Sequence, residues 1–255
     1  SLACNTTGAG NVAVGALVLE DNTIGCQNTS VGYTSLRNNT EGNFNAAFGR
    51  DSMNVNTTGD NNTAIGTCAL VYNQTADNNT AVGFKSLFAN TTGTQNTAIG
   101  NSSLTANTTG AHNIAVGKDS LATNTTGQNN VAVGFVALTS VTTAYENVGV
   151  GREALYNVTT GGCNVAVGRD AGRAITTGSN NIMIGRGSCA DSVSTSNSTS
   201  IGENVVSISG SVTFGNGSTD SRIAFGATSI TAPSDMRLKE DIQDDTAGLS
   251  FINDL

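Results

Sequence analysis

A glycine returns every 17 residues along most of this chain, with no inserted or deleted residue across twelve units. A fixed period below 20 residues is typical of a solenoid, whereas helical hairpin repeats need about 33 residues and tolerate Gly, Asn and Thr poorly. Each glycine ends a segment such as "NTAIG" at 62–66, in which side chains alternate with a period of two. We therefore predict an all-β fold, a β-solenoid or β-roll of stacked 17-residue coils over residues 1–203. The column glycines are Gly15, Gly32, Gly49, Gly66, Gly83, Gly100, Gly117, Gly134, Gly151, Gly168, Gly185 and Gly202.

An asparagine stands four positions before the glycine in eleven of the twelve units, and Ser198 replaces it in the last. In stacked coils such a column becomes a ladder of amides that hydrogen-bond to the coils above and below. We predict this structural role for Asn11, Asn28, Asn45, Asn62, Asn79, Asn96, Asn113, Asn130, Asn147, Asn164 and Asn181. Within each unit we further predict a strand at "NTAIG", a second short strand at "SLxxN", and turns at "TTGxx" and at the column glycine.

Two apolar columns accompany the repeat. Val, Ile or Phe always precedes the glycine, and a Leu or Met column runs four positions after it, from Leu19 to Leu155. We expect these columns to form one apolar stripe, with the alanine column on the opposite face. A stripe of this length left in water would be an aggregation surface, so we predict a parallel homo-oligomer that buries it. Twelve coils would span about 53 Å, and packing alone leaves both a dimer and a trimer open.

Composition narrows the possible partners. The formal net charge of −8 and the pI of about 4.4 disfavour binding to nucleic acid or anionic lipid. No apolar run is long enough to insert in a membrane, and His112 is the only histidine, so we expect no metal and no cofactor. Because Ser1 lies inside the repeat pattern, we expect the chain to be a fragment of a longer protein.

The acidic residues form no repeated pair at a fixed spacing, so we expect no glycosidase chemistry and no enzyme in the repeat body. The variable positions are the two residues after each glycine and the loop after each "NTTG". These positions would display any receptor-binding surface. The basic candidates there are Arg50, Lys85, Lys118, Arg152, Arg169 and Arg186.

The repeat changes after Gly202, because the next glycines of this kind, Gly215 and Gly226, come 13 and 11 residues later. We interpret residues 204–233 as a β connector or stem that ends at Pro233, the single proline. Charged residues then crowd residues 234–255, which we predict to begin as a helix.

The pattern "NTTGxxNTAIGxxSL" resembles the head repeats of trimeric autotransporter adhesins, and it resembles still more the 17-residue arrays of phage and viral fibre proteins. That resemblance implies a left-handed β-roll in a parallel homotrimer. The segment "SDMRLKEDI" at 234–242 is similar to the start of the endosialidase-type intramolecular chaperone domain, peptidase S74. By that resemblance Ser234 would be the nucleophile, Lys239 would activate it, and the bond between Ser234 and Asp235 would be cut. The family's domain is several times longer than residues 234–255, so we expect no cleavage by this chain.

Together these observations favour a structural shaft and host-attachment domain of a trimeric viral or phage tail fibre or spike. Its expected partners are further copies of itself and a host cell-surface receptor such as a glycan, and its expected location is the virion or an extracellular surface. Two alternatives stay open, the head of a bacterial trimeric surface adhesin and an ice-binding β-solenoid.

Overall fold

The computed structural model describes residues 1–226 as strands and turns, with no α-helix among them. Residues 227–255 lie outside this description. The strands are short, and most contain three residues. They are β1 Val12–Val14, β2 Thr29–Val31, β3 Ala46–Phe48, β4 Thr63–Ile65, β5 Thr80–Val82, β6 Thr97–Ile99, β7 Ile114–Val116, β8 Val131–Val133, β9 Val148–Val150, β10 Val165–Val167, β11 Ile182–Ile184, β12 Cys189–Ala190, β13 Thr199–Gly202, β14 Val206–Ser207, β15 Ser211–Gly215 and β16 Ser221–Ala224.

One 14-stranded sheet runs the length of the described chain in the order β1 to β11, then β13, β15 and β16. From β1 to β13 neighbouring strands are parallel, and each residue pairs with the one 17 positions further on, as in Ala64↔Ala81 and Ala81↔Ala98. The repeat length therefore sets the register directly, because one unit makes one complete coil. The predicted all-β solenoid of 17-residue coils is confirmed.

The interior of the solenoid is filled by small and medium side chains. The middle residue of each strand points inward, and from Ala47 to Ala166 the alanines of this column are fully buried. The Leu column is equally buried, with Leu19 and Leu155 both at 0% exposure. Our expectation that the Leu column would join the outward stripe is therefore wrong. Leu fills the space opposite Ala, so that each coil has a core of its own within a single chain.

After the last two column glycines the chain forms the second strand that we predicted from "SLxxN", because β12 and β14 pair in parallel with Cys189 opposite Val206. In the earlier coils the prediction is wrong. There the segment after the glycine consists of turns, and its residues alternate into the left-handed region, as Thr34 and Leu36 do with φ of +54° and +50°. A strand would send Ser35 and Leu36 to opposite faces, yet both are fully buried. The left-handed residues bring both side chains into the core, while the backbone still bonds between coils, with the N–H of Leu36 donating to the carbonyl of Ser52 at 2.9 Å.

Beyond Gly202 the sheet continues with a shorter coil. Strand β15 pairs in parallel with β13, with Thr199 opposite Val212 and Gly202 opposite Gly215, a step of 13 residues. Strand β16 then turns back and pairs antiparallel with β15. The β13–β15 pair thus extends the solenoid sheet into the segment that we interpreted as a connector, and β16 is the last strand of that sheet among the described residues.

Candidate functional site: the outward face of the sheet

The residue before each column glycine, together with Phe214 before Gly215, forms an unbroken apolar column on the outside of the sheet, which we call the apolar stripe. Its thirteen members lie side by side, because consecutive strands pair them directly, as in Ile65↔Val82 and Val82↔Ile99. Nine members are exposed, from 36% at Val133 to 56% at Val14, and the other four are half-buried. The members are Val14, Val31, Phe48, Ile65, Val82, Ile99, Val116, Val133, Val150, Val167, Ile184, Ile201 and Phe214. The single chain therefore leaves a continuous apolar surface in water.

The first residue of each strand points to the same side, since side chains two apart share one face of a strand. This second column changes character along the molecule. It carries Thr63, Thr80 and Thr97 in β4 to β6, is aliphatic from Ile114 in β7 to Ile182 in β11, and returns to a hydroxyl at Thr199 in β13. The face is consequently apolar across both columns from β7 to β11, whereas β4 to β6 present hydroxyl groups beside the apolar stripe.

The glycine column borders this face and brings successive coils close together. Gly83 has φ of +131°, and a side chain there would place its Cβ 2.5 Å from the carbonyl oxygen of Gly100 in the next coil. Only glycine meets both demands, a left-handed φ and a backbone contact at that distance. These contacts let the strands stack directly on one another at the edge of the apolar stripe.

The predicted asparagine column is buried behind the sheet from Asn28 to Asn181, is half-buried at Asn11, and bonds from coil to coil. The backbone N–H and the Nδ2 of Asn62 both donate to Oδ1 of Asn45, at 2.9 and 3.2 Å. Nδ2 of Asn62 also donates to the carbonyl of Ala76 at 2.8 Å. In the last unit Ser198 takes over the same task, because its N–H and hydroxyl donate to Oδ1 of Asn181 at 3.1 and 2.8 Å. The column holds neighbouring coils in register, which keeps the members of the apolar stripe aligned.

A second asparagine ladder was missed as a hydrogen-bonding unit by the sequence reasoning. Nδ2 of Asn73 donates to Oδ1 of Asn56 at 2.8 Å and to the carbonyl of Ala76 at 2.9 Å. The first asparagine of each "NTTG" motif belongs to this column, so the signal was the constant phase of that motif. Its members are Asn5, Asn22, Asn39, Asn56, Asn73, Asn90, Asn107 and Asn124.

Five of the six basic candidates for receptor contact are paired with a carboxylate. The pairs join Arg50 to Asp51 at 2.9 Å, Lys118 to Asp119 at 3.4 Å, Arg152 to Glu153 at 2.7 Å and Arg169 to Asp170 at 2.9 Å, and Arg186 pairs with Glu203. In four of these pairs the acid directly follows the base in sequence. Adjacent opposite charges of this kind leave little net field for an anionic ligand.

Asp170 lies near two guanidinium groups, those of Arg169 and Arg173. The hydrogen bond from Arg169 lowers the pKa of its carboxyl group, the charges of Arg169 and Arg173 add to that effect, and burial opposes it. Arg173 also reaches Glu153, with Nη1 3.3 Å from Oε2. The result is a small charge network that spans neighbouring coils.

Lys85 differs from the other five candidates, because within residues 1–226 it forms no salt bridge. Its ammonium group lies 5.4 Å from the ring centre of Phe84 and 5.5 Å from that of Phe88. Phe88 in turn packs edge-on against Tyr72, with ring centres 5.0 Å apart. We call these four residues the aromatic–lysine cluster. It combines exposed rings with one cation, a combination suited to weak contacts with a polar ligand.

The described residues hold little material for catalysis. Burial raises the pKa of the Cys163 thiol, helped by Glu146, and burial with Asp191 raises that of Cys189, so both thiols stay protonated at neutral pH. Residues 1–226 contain no cluster of His, Cys, Asp or Glu that could hold a metal ion. The residues predicted for self-cleavage, Ser234, Asp235 and Lys239, lie outside the described part of the chain.

No protein-family model matches the chain, and neither a curated protein nor a solved structure matches it. Within residues 1–226, no helix has the length and hydropathy needed to cross a membrane. The geometry of the outward face is therefore the main guide to function.

Proposed function

We propose that this chain is a rigid structural segment of a multi-copy fibre or spike on a virion or an extracellular surface. It would extend the fibre away from that surface and attach it to a receptor. The observation that carries the proposal is the apolar stripe, which stays unbroken over thirteen strands while the chain already has its own core. A surface of this length is a natural site for association, because burying it removes apolar area from water.

The partner that fits the apolar stripe is a second copy of the same chain. Copies that pack in parallel and in register place identical coils at the same height, so each Val or Ile meets an equivalent side chain on every neighbour. The outward columns are flat and regular, and cyclic symmetry around an axis along the stripe gives every copy the same environment. The resemblance to fibre and adhesin repeats favours three copies.

The association can be tested by measuring the mass of the complete chain in solution. We expect size-exclusion chromatography with light scattering to give three times the chain mass of 25.7 kDa. The double variant Ile65→Lys, Ile99→Lys places charges on the apolar stripe and should reduce the measured mass to that of one chain. The matched control is Thr92→Lys, Thr109→Lys, which changes exposed threonines outside the sheet and should leave the assembly intact. A wild-type chain that stays monomeric at micromolar concentration would remove the basis of the proposal.

The attachment role rests on the aromatic–lysine cluster as the receptor-facing site. Among the six basic candidates, Lys85 alone forms no salt bridge within residues 1–226, and its aromatic neighbours supply apolar faces beside a cation. A glycan array probed with the labelled oligomer tests this role. We expect Lys85→Ala and Phe84→Ala to weaken binding, while Lys118→Ala, which removes a lysine paired with Asp119, leaves it unchanged. Equal binding by all three variants would assign attachment to another surface.

A further inference from the structure

The turn that joins β15 to β16 contains Asn216 followed by Gly217, the single Asn-Gly pair in the 255-residue sequence. Both residues are exposed, as are Ser218 and Thr219 after them. The turn lies at the end of the sheet and takes no part in either asparagine ladder. The hydrogen bonds of the Asn216 side chain stay within the turn, whereas those of the ladder asparagines join neighbouring coils.

The atoms of this turn are arranged around the Asn216 side chain. The backbone N–H of Gly217 donates to Oδ1 of Asp220 at 2.8 Å. Oδ1 of Asn216 accepts the backbone N–H groups of Ser218 and Thr219 at 3.1 and 3.0 Å, and it also accepts both hydroxyl groups at 3.2 Å. A carboxylate therefore holds the nitrogen next to the side-chain amide, while four donors converge on the amide oxygen.

We propose that Asn216 is a site of self-modification, at which the chain converts its own asparagine side chain to a carboxylate. Asp220 accepts the proton of the Gly217 N–H, and that nitrogen attacks Cγ of Asn216. The bond between Cγ and Nδ2 breaks, and the proton held by Asp220 passes to the departing nitrogen, which leaves as ammonia. The five-membered imide that remains is opened by a water molecule to give aspartate or isoaspartate.

The surrounding groups match the needs of each step. A carboxylate within hydrogen-bond distance of the attacking N–H is placed to act as a general base. Donors on the amide oxygen stabilise the negative charge that develops there when the nitrogen attacks. Gly217 has no side chain to hinder the attack and holds φ of +80°, a conformation that glycine adopts without strain. Solvent exposure of the turn gives water access to the imide.

The ladder asparagines provide an internal contrast. Asn62, for example, is fully buried and is followed by the β-branched Thr63. The Asn62 side chain is hydrogen-bonded to residues of neighbouring coils. The backbone N–H of Thr63, which would have to attack it, donates to the carbonyl of Asn79 and not to a carboxylate. The ladder asparagines should therefore not react.

The modification would change the end of the sheet. It adds one negative charge beside Asp220, and the isoaspartate product lengthens the backbone by one atom inside the turn. Both changes weaken the β15–β16 pairing, in which Phe214 lies opposite Ser221 directly beside the turn. The β15–β16 hairpin would therefore become less stable as the modification accumulates with time.

The experiment incubates the complete chain at neutral pH and physiological temperature and follows peptide masses and isoaspartate content over time. We expect one modified position, Asn216, formed faster than in a synthetic, unstructured peptide of residues 212–224 used as the reference. Asp220→Asn retains the shape and an acceptor oxygen but removes the base, and it should slow the reaction by about tenfold or more. Thr219→Val removes one hydroxyl donor and should slow it less.

Three results would overturn the proposal. The first is modification spread over the ladder asparagines. The second is a folded chain that reacts no faster than the reference peptide. The third is an unchanged or increased rate in Asp220→Asn, with the circular dichroism spectrum showing that the solenoid is intact.

Discussion

Val141 occupies, one coil beyond Asn124, the position that carries asparagine in every earlier coil of the second ladder, and Oδ1 of Asn124 is buried without a hydrogen-bond partner. Each step of this ladder runs in one direction, with Nδ2 of the later residue donating to Oδ1 of the earlier one, as Asn124 donates to Asn107 at 2.8 Å. Val141 has no donor to offer, so the ladder ends on an unsatisfied acceptor. Beyond it Val158 and Ile175 fill the same column, so the interior changes from amide to aliphatic packing at this coil.

The direction of the ladder predicts that its middle and its end respond differently to the same substitution. Asn73→Val leaves Oδ1 of Asn56 without its donor, and Asn90 loses an acceptor, while the carbonyl of Ala76 keeps the bond from Asn62. Asn124→Val orphans Oδ1 of Asn107 but also removes an atom that was already unsatisfied. We expect Asn73→Val to lower the free energy of unfolding by about 1–3 kcal/mol more than Asn124→Val does. Urea unfolding followed by circular dichroism measures the difference, and equal losses would contradict the one-way ladder.

Close stacking at the glycine column can be separated from backbone strain by a matched pair of substitutions. Gly83→Ala adds a Cβ 2.5 Å from the Gly100 carbonyl oxygen and also strains a backbone with φ of +131°. Gly210→Ala has φ of +70° and open space around the new Cβ. We expect Gly210→Ala to cost about 1–2 kcal/mol, the strain of a left-handed alanine alone. Gly83→Ala should cost several times more or prevent folding, as measured by soluble yield and urea midpoint. Similar costs at both sites would show that the coils can separate locally.

The 17-residue coil could be predicted from the sequence because the residues that define it recur at a constant spacing. Glycines and asparagines at a constant phase fix the repeat, and the alternation in "NTAIG" identifies Ala as inward and Val or Ile as outward. The position of Leu36 could not be read in the same way. Its left-handed conformation is uncommon for leucine, and alternation rules assume extended backbone. The error at the Leu column follows directly, since a strand reading sends Ser35 and Leu36 to opposite faces.

The candidate site was predictable only in part, for a related reason. The apolar stripe follows from one column, whereas the pairing of Arg50 with Asp51 and of Arg169 with Asp170 depends on side-chain rotamers that a sequence does not specify. The special position of Lys85 likewise depends on contact with Phe88, three residues further along a path with left-handed turns.

The separation of core from apolar stripe predicts two different thermodynamic responses. Leu104 is fully buried within one chain, so Leu104→Ala should lower stability by about 2–5 kcal/mol at any protein concentration. Ile99 is 40% exposed in the single chain, so Ile99→Ala should act mainly on association. Its effect on the unfolding midpoint should grow with protein concentration, because coupled association and folding depend on mass action. Unfolding curves at several dilutions distinguish the two. A concentration-independent loss for Ile99→Ala would show that this side chain is not part of an interface between copies.

The charge network around Asp170 predicts a specific acid limb of the stability profile. The hydrogen bond from Arg169 lowers the pKa of the Asp170 carboxyl group in the folded chain. The stabilisation from this group is therefore fully present above the unfolded-state pKa of about 4, and it is lost as the pH falls through the lower folded-state pKa. Asp170→Asn removes this contribution, so the stability gap between wild type and variant should be largest near neutral pH and should close as the pH falls below about 4. Urea midpoints measured from neutral to acid pH give the gap.

The control is Asp21→Asn, which changes an acid that has no salt bridge among the described residues and should show a smaller change. A gap that stays constant with pH would show that Asp170 contributes through packing rather than through its charge.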